Sequence, residues 1–70
     1  MSVYRVTELI GTSGVSWEEA AATALRTASN TIRDLRVAEV IKQDLQLNDG
    51  NITYRIKLQV SFKYEADGND

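Results

Sequence analysis

The chain has 70 residues, a net charge of −2, ten acidic residues, eight Lys and Arg, and neither cysteine nor histidine. No disulfide, thiolate metal site or imidazole ligand can form, and histidine-based acid–base chemistry is excluded. The charges are interspersed, with no basic stripe for nucleic acid, and MSVYRVTELIG has no apolar run long enough for a leader or a membrane span. The expectation is a cytoplasmic protein with no nucleic-acid or membrane partner.

Size sets the next constraint. Ordering a chain costs about 1.5 kcal/mol per residue, so a domain this small barely offsets the loss with its own core. Without disulfide or metal, association with other copies of the chain is the remaining staple.

Val3 to Ile10 reads as a strand, β-branched and aromatic in VYRV, and GTSG from Gly11 to Gly14 ends it with loop chemistry. Ser16 then opens a helix, with Glu19 three residues on as the partner in a capping box. Glu18 and Glu19 place negative charge at the positive end of the helix dipole. The apolar positions Trp17, Ala21, Ala24 with Leu25, Ala28, Ile32 and Leu35 follow a helical period, and the helix is expected to end near Asp34 or Leu35. Its alanine stripe lets a sheet approach closely. Thr23, Arg26, Asn30 and Arg33 fall on the wet side.

Arg36 to Leu47 reads as a second strand with imperfect alternation. Ala38 and Val40 share one face; Val37, Ile41, Leu45 and Leu47 share the other, and a bulge would reconcile them. Asp49-Gly50 is a strong type I′ hairpin signal. Asn51 to Tyr64 follows as a third strand: Ile52, Tyr54, Ile56, Leu58, Val60, Phe62 and Tyr64 alternate with Thr53, Arg55, Lys57, Gln59, Ser61 and Lys63. Residues 66–70 are a polar, flexible tail. The whole is one α+β domain of order β-α-β-β, a three-stranded antiparallel sheet with one helix on one face. Apolar residues on both faces of the second strand imply contact with another subunit.

No catalytic set is present. The serines have no histidine base, and a sheet under one helix offers no cleft for paired carboxylates, so the chain is read as non-enzymatic. GTSG lacks the phosphate-loop pattern and is a turn. Arg55, Lys57 and Lys63 share the polar face of the third strand, with Arg5 nearby. They are expected to form cross-strand ion pairs with Glu8, Glu39 or Asp44 rather than to collect phosphates. Hard cations are the metals left, and calcium takes oxygen ligands. Glu8, Glu39 and Asp44 are the candidate ligands, and a site would need several strands or several subunits. Trp17, in line with the apolar stripe, is expected to anchor the core rather than stack on a ligand.

The segments YRVTELIGTS, the alanine-rich helix, VAEV and TYRIKLQVSF, in this order and at this length, resemble the dodecin family over residues 2 to 65. The resemblance implies a sheet partly wrapped around its helix and twelve copies in a hollow shell of tetrahedral symmetry. It also implies cytoplasmic storage of flavin (riboflavin or FMN) without turnover. In flavin-binding members an aromatic residue before the Ala-Glu-Val stacks on the ring; here that position is Val37. A glutamine after the Thr-Tyr pair bonds the ring's polar edge; here it is Arg55. Both depart from the pattern. SVYRV, RVAEVI and TYRIKLQVSFK are closer to the tryptophan-lacking branch described as calcium dodecins. Three readings follow: a shell with a degenerate flavin site that binds calcium or another hard cation, a shell that keeps flavin in an altered pocket, and a purely structural assembly.

Overall fold

The computed structural model describes residues 2–63, so the expected tail at 66–70 and Tyr64 lie outside the described residues. The elements are β1 (Tyr4–Ser13), α1 (Trp17–Ala28), β2 (Leu35–Asn48) and β3 (Asn51–Lys63). They form one antiparallel sheet in the order β1-β3-β2. The strand with the cleanest alternation is thus the central one, and both of its neighbours are edges.

The core lies between α1 and the even-numbered side chains of β3. Ile56, Leu58 and Val60 are buried against Ala20, with Leu9, Trp17, Ala21, Ala24, Leu25 and Leu35 packed around them. Ala20, one position off the expected stripe, is the most deeply buried helix residue. Small helix residues are needed because Gly11 touches them: a Cβ at Gly11 would overlap the Ala20 carbonyl oxygen and stand 2.9 Å from the Ala24 Cβ. Gly11 is therefore a strand residue in close contact with the helix, and β1 continues to Ser13 instead of ending at Ile10.

The capping box closes only halfway. Ser16 Oγ accepts from the Glu19 amide at 3.0 Å, whereas the Glu19 carboxylate turns to the Ser13 hydroxyl, which donates to it at 2.6 Å. Ser13 Oγ in turn accepts from the Val15 amide at 2.9 Å, so strand end, turn and helix start are one hydrogen-bonded unit. The helix stops at Ala28, about two turns before the expected end. Ser29, Asn30 and Thr31 supply local alternatives to helix hydrogen bonds. Ser29 Oγ donates to the Arg26 carbonyl at 2.9 Å and Thr31 Oγ1 to that of Ala28 at 3.3 Å. Asp34, at φ 60°, then turns the chain into β2.

The irregular alternation of β2 resolves into two bulges, at Arg36 and Ile41, which the ladder to β3 skips. The second corrects the face assignment. Beyond Ile41, Leu45 and Leu47 pair with Tyr54 and Ile52 and so share the helix side with Ala38 and Val40, leaving Val37 on the opposite face. Asp49 and Gly50 close the hairpin with φ of 50° and 81°, both positive as a type I′ turn requires.

The fold is open for its size. Its radius of gyration is 14.4 Å and it extends 51 Å along its long axis, whereas a compact chain of this length has a radius of gyration of about 11 Å. The hairpin runs on past the helix, and Val40, Leu45, Leu47 and Ile52 on its helix side stay exposed. Among the described residues no helix is long and apolar enough to cross a membrane.

The Gly11 contact predicts that Gly11→Ala destabilises the protein by about 1–3 kcal/mol, since the helix backbone must retreat from the new methyl. Urea unfolding at fixed protein concentration reads this directly; an unchanged midpoint would refute the contact.

Candidate functional site

The face away from the helix is built by the odd-numbered residues of β3 and their partners in β1 and β2. The register arranges them in rows across the sheet: Val6, Ser61 and Val37; Glu8, Gln59 and Glu39; Ile10, Lys57 and Lys42; Thr12, Arg55 and Asp44. Directly opposed residues point to the same side, so each row is a set of lateral neighbours.

Charge pairs run across and between the rows. Arg55 Nε donates to Asp44 Oδ1 at 2.8 Å and Nη2 to Oδ2 at 3.3 Å, a bidentate fork. Lys57 Nζ lies 3.4 Å from Glu8 Oε1. The expected cross-strand ion pairs thus form for Asp44 and Glu8. Hydrogen bonding to Arg55 holds the Asp44 carboxyl below its ordinary range, against a smaller desolvation cost and with added attraction from Arg55 and Lys42. The same bond raises Arg55 further above its ordinary value. The Asp44 carbonyl, meanwhile, accepts from Trp17 Nε1 at 3.3 Å, and the Trp17 ring meets Tyr54 edge-on at 5.3 Å. Trp17 is therefore a core anchor that ties α1 to β2 and β3.

Of the four cations expected together, Arg5 is displaced to the other face. It stands opposite Phe62, with its guanidinium carbon 6.0 Å from the ring centroid. The sequence pattern also left Lys42 unplaced; only the Ile41 bulge puts it opposite Lys57.

Glu8, Glu39 and Asp44 all lie on this one face, yet they do not converge. Glu8 and Glu39 flank Gln59, two strand spacings or roughly 10 Å apart. Asp44 is two rows away and bound to Arg55. Among the described residues no three acidic side chains are grouped to hold a metal ion. Gln59, which the sequence reading did not single out, adds a neutral oxygen between the two carboxylates.

Val37 and Arg55 share the face but not a neighbourhood. Val37 pairs with Ser61, six residues along β3 from Arg55, a separation of about 20 Å. Val37 is 61% exposed and borders a groove of about 320 Å³ with Leu25, Leu35, Ala38, Arg26 and Arg36. A single planar ligand that touched both Val37 and Arg55 would have to lie between two chains.

A short helix over a three-stranded antiparallel sheet, with a long hairpin running past it and a charged outer face, defines a class of small α+β subunits. The chain belongs to the dodecin family, whose model matches residues 3–65. It is similar to calcium dodecin from Mycobacterium tuberculosis, with 58% identity over 64 residues and 90% of each chain covered. A crystal structure of that relative, described as a calcium-chelating antigen with a novel calcium-binding site, matches with a TM-score of 0.86 and 51% identity. It covers 99% of this chain and 100% of its own. The dodecin of Streptomyces coelicolor matches with a TM-score of 0.88 and 34% identity, over 94% of this chain and 96% of its own.

The Asp44–Arg55 pair predicts a pH signature. A depressed folded-state pKa means that the pair's contribution is complete above the unfolded carboxyl value, about 3.9, and is lost as pH falls through the lower folded value. The urea midpoint of Asp44→Asn should therefore lie below that of the wild type by a constant margin from pH 7 to 5, and the gap should close in acid. A gap that persists at pH 2 would assign the loss to something other than this carboxylate.

Proposed function

We propose that this chain is a non-enzymatic binding and storage subunit of a hollow dodecameric shell that holds calcium or another hard cation and has lost the family's flavin site. The observation that carries the reading is the state of the two flavin positions. Val37 offers apolar surface without a π-face, and the fork of Arg55 is already occupied by Asp44. Arginine also only donates, whereas a flavin pyrimidine edge needs both a donor and an acceptor.

The cation half is supported by the calcium-binding relative and by the oxygen chemistry of the outer face. Glu39 has no ion-pair partner among the described residues, and Gln59 and Glu8 stand beside it in the row. One chain gives too few converging oxygens for calcium, which takes six to eight. Glu8, Glu39 and Asp44 are therefore proposed as contributions to a site completed by a neighbouring subunit. Cytoplasmic storage belongs to the same reading. A second reading, riboflavin or FMN in an altered pocket, draws on the groove beside Val37, where Arg26 and Arg36 could meet a phosphate.

Light scattering should give twelve chains of 7.8 kDa, about 94 kDa, and calorimetry should show heat with calcium at millimolar concentration or below. A folded particle near 8 kDa, or no heat with millimolar calcium, would remove the corresponding half of the proposal.

Riboflavin fluorescence separates the two ligand readings. No quenching is expected at tens of micromolar protein, whereas Val37→Trp with Arg55→Gln should strengthen binding by roughly two- to tenfold from the restored stack alone. Submicromolar quenching by the wild type would restore flavin as the ligand.

A further inference from the structure

The charged face of the sheet departs from its own pairing pattern at one place. Among the described residues, charged side chains directly opposed across the ladders meet a neutral partner or the opposite sign, as Asp44 meets Arg55 and Glu8 and Glu39 meet Gln59. Lys42 and Lys57 are the exception, and directly opposed like charges destabilise a sheet. The bulge at Ile41 creates this pair by bringing Lys42 into register with Lys57.

The neighbouring acids do not balance it. Asp44 gives both carboxylate oxygens to Arg55, and Glu8 lies 3.4 Å from Lys57. Lys42 forms no ion pair among the described residues and reaches Asp44 only by longer-range attraction. Three cations therefore face two acids, with the surplus on Lys42. Between them lies a small hollow of about 130 Å³, lined by Ile10, Lys42, Asp44, Arg55 and Lys57 among others. The charge balance differs from the one expected from sequence because Arg5 leaves this face and Lys42 joins it.

We infer that this hollow binds a single phosphate group, free or carried on a small ester, between Lys42 and Lys57 and beside Arg55. The hollow is well below the roughly 300 Å³ at which pockets for larger organic ligands begin, so it takes an ion-sized group and no ring system. Its donors suit a tetrahedral oxyanion. Each ammonium offers three N–H groups, and the fork to Asp44 occupies two of the five on Arg55. An anion here turns the one repulsive row of the face into an attractive one, a compensation that no side chain among the described residues supplies. Ile10, 60% exposed beside Lys57 in the same row, offers an apolar contact to the body of an ester. The phosphate site needs neither calcium nor a second chain, so it stands apart from the shell and cation readings.

Calorimetric titration of the full chain with inorganic phosphate and, separately, with glycerol phosphate tests the site, at fixed ionic strength and with a chelator present to exclude calcium. The wild type should give saturable heat at millimolar concentration or below. Lys42→Gln should weaken binding about tenfold, the loss of one charge-assisted hydrogen bond. Arg33→Gln, the same change of charge on an exposed residue outside the hollow, should leave it unchanged. Asp44→Asn should strengthen binding, because it removes the acid from the hollow and frees the fork of Arg55; a folding defect would not produce a gain. Equal affinity for the two ligands supports recognition of the phosphate group alone, and tighter binding of the ester supports it with a contact to Ile10. No saturable heat with either ligand, wild-type affinity in Lys42→Gln, an equal loss in Arg33→Gln, or no gain in Asp44→Asn would overturn the assignment.

Discussion

The structure depends on a mismatch of lengths. The helix has 12 residues and spans about 18 Å; the 14 residues of β2 span about 46 Å. The helix is also narrow, and Gly11 draws it over β1 and β3, so that β2 receives little more than Trp17. Every apolar residue beyond that footprint is left for something other than α1 to cover. The helix goes no further because the Ser29 and Thr31 hydroxyls capture its last carbonyls and Asp34 turns the chain away.

The other face of the same sheet obeys a different rule. Its rows alternate between carboxylates around Gln59, lysines at 42 and 57, and the Arg55–Asp44 fork. Such a surface is too charged to be a core and too balanced to attract a polyanion. Exposed ion pairs add little to stability, so the pattern is better understood as an arrangement of oxygen and nitrogen donors than as a source of folding energy. In that arrangement the guanidinium of Arg55 is already committed, while Glu39 is uncommitted among the described residues.

Much of this was legible in the sequence, because it was written in local chemistry. The β-α-β-β order followed from the alternation of β3, the Ser16 cap and the Asp49-Gly50 turn. What sequence pattern could not fix was the bulge at Ile41. Val40 and Ile41 are adjacent and both apolar, so neither alternation frame is preferred, and a one-residue shift moves Leu45 and Leu47 across the sheet. The helix end was misjudged for a related reason: Ile32 and Leu35 keep the helical period although the residues between Ala28 and Ile32 favour a turn. The strand role of Gly11 was hidden because GTSG is turn-like in composition. Only the close approach of Ala20 explains a glycine there. For the candidate site, the residue types and the shared face were readable, but Gln59 and Lys42 gained meaning only from the register.

The separation of Val37 from Arg55 links assembly to binding. A ligand that contacts both, or a cation that gathers Glu39 from one chain and an acid from another, binds the association of chains and has little affinity for either alone. Free energy of binding then adds to the free energy of assembly, by RT ln(1 + [L]/Kd) per site. Conversely, an association that held the outer-face residues of two chains at fixed spacing would preorganise such a site before any ligand arrives. The fold itself depends on Gly11, Ala20 and the core of β3, none of which lies on the charged face.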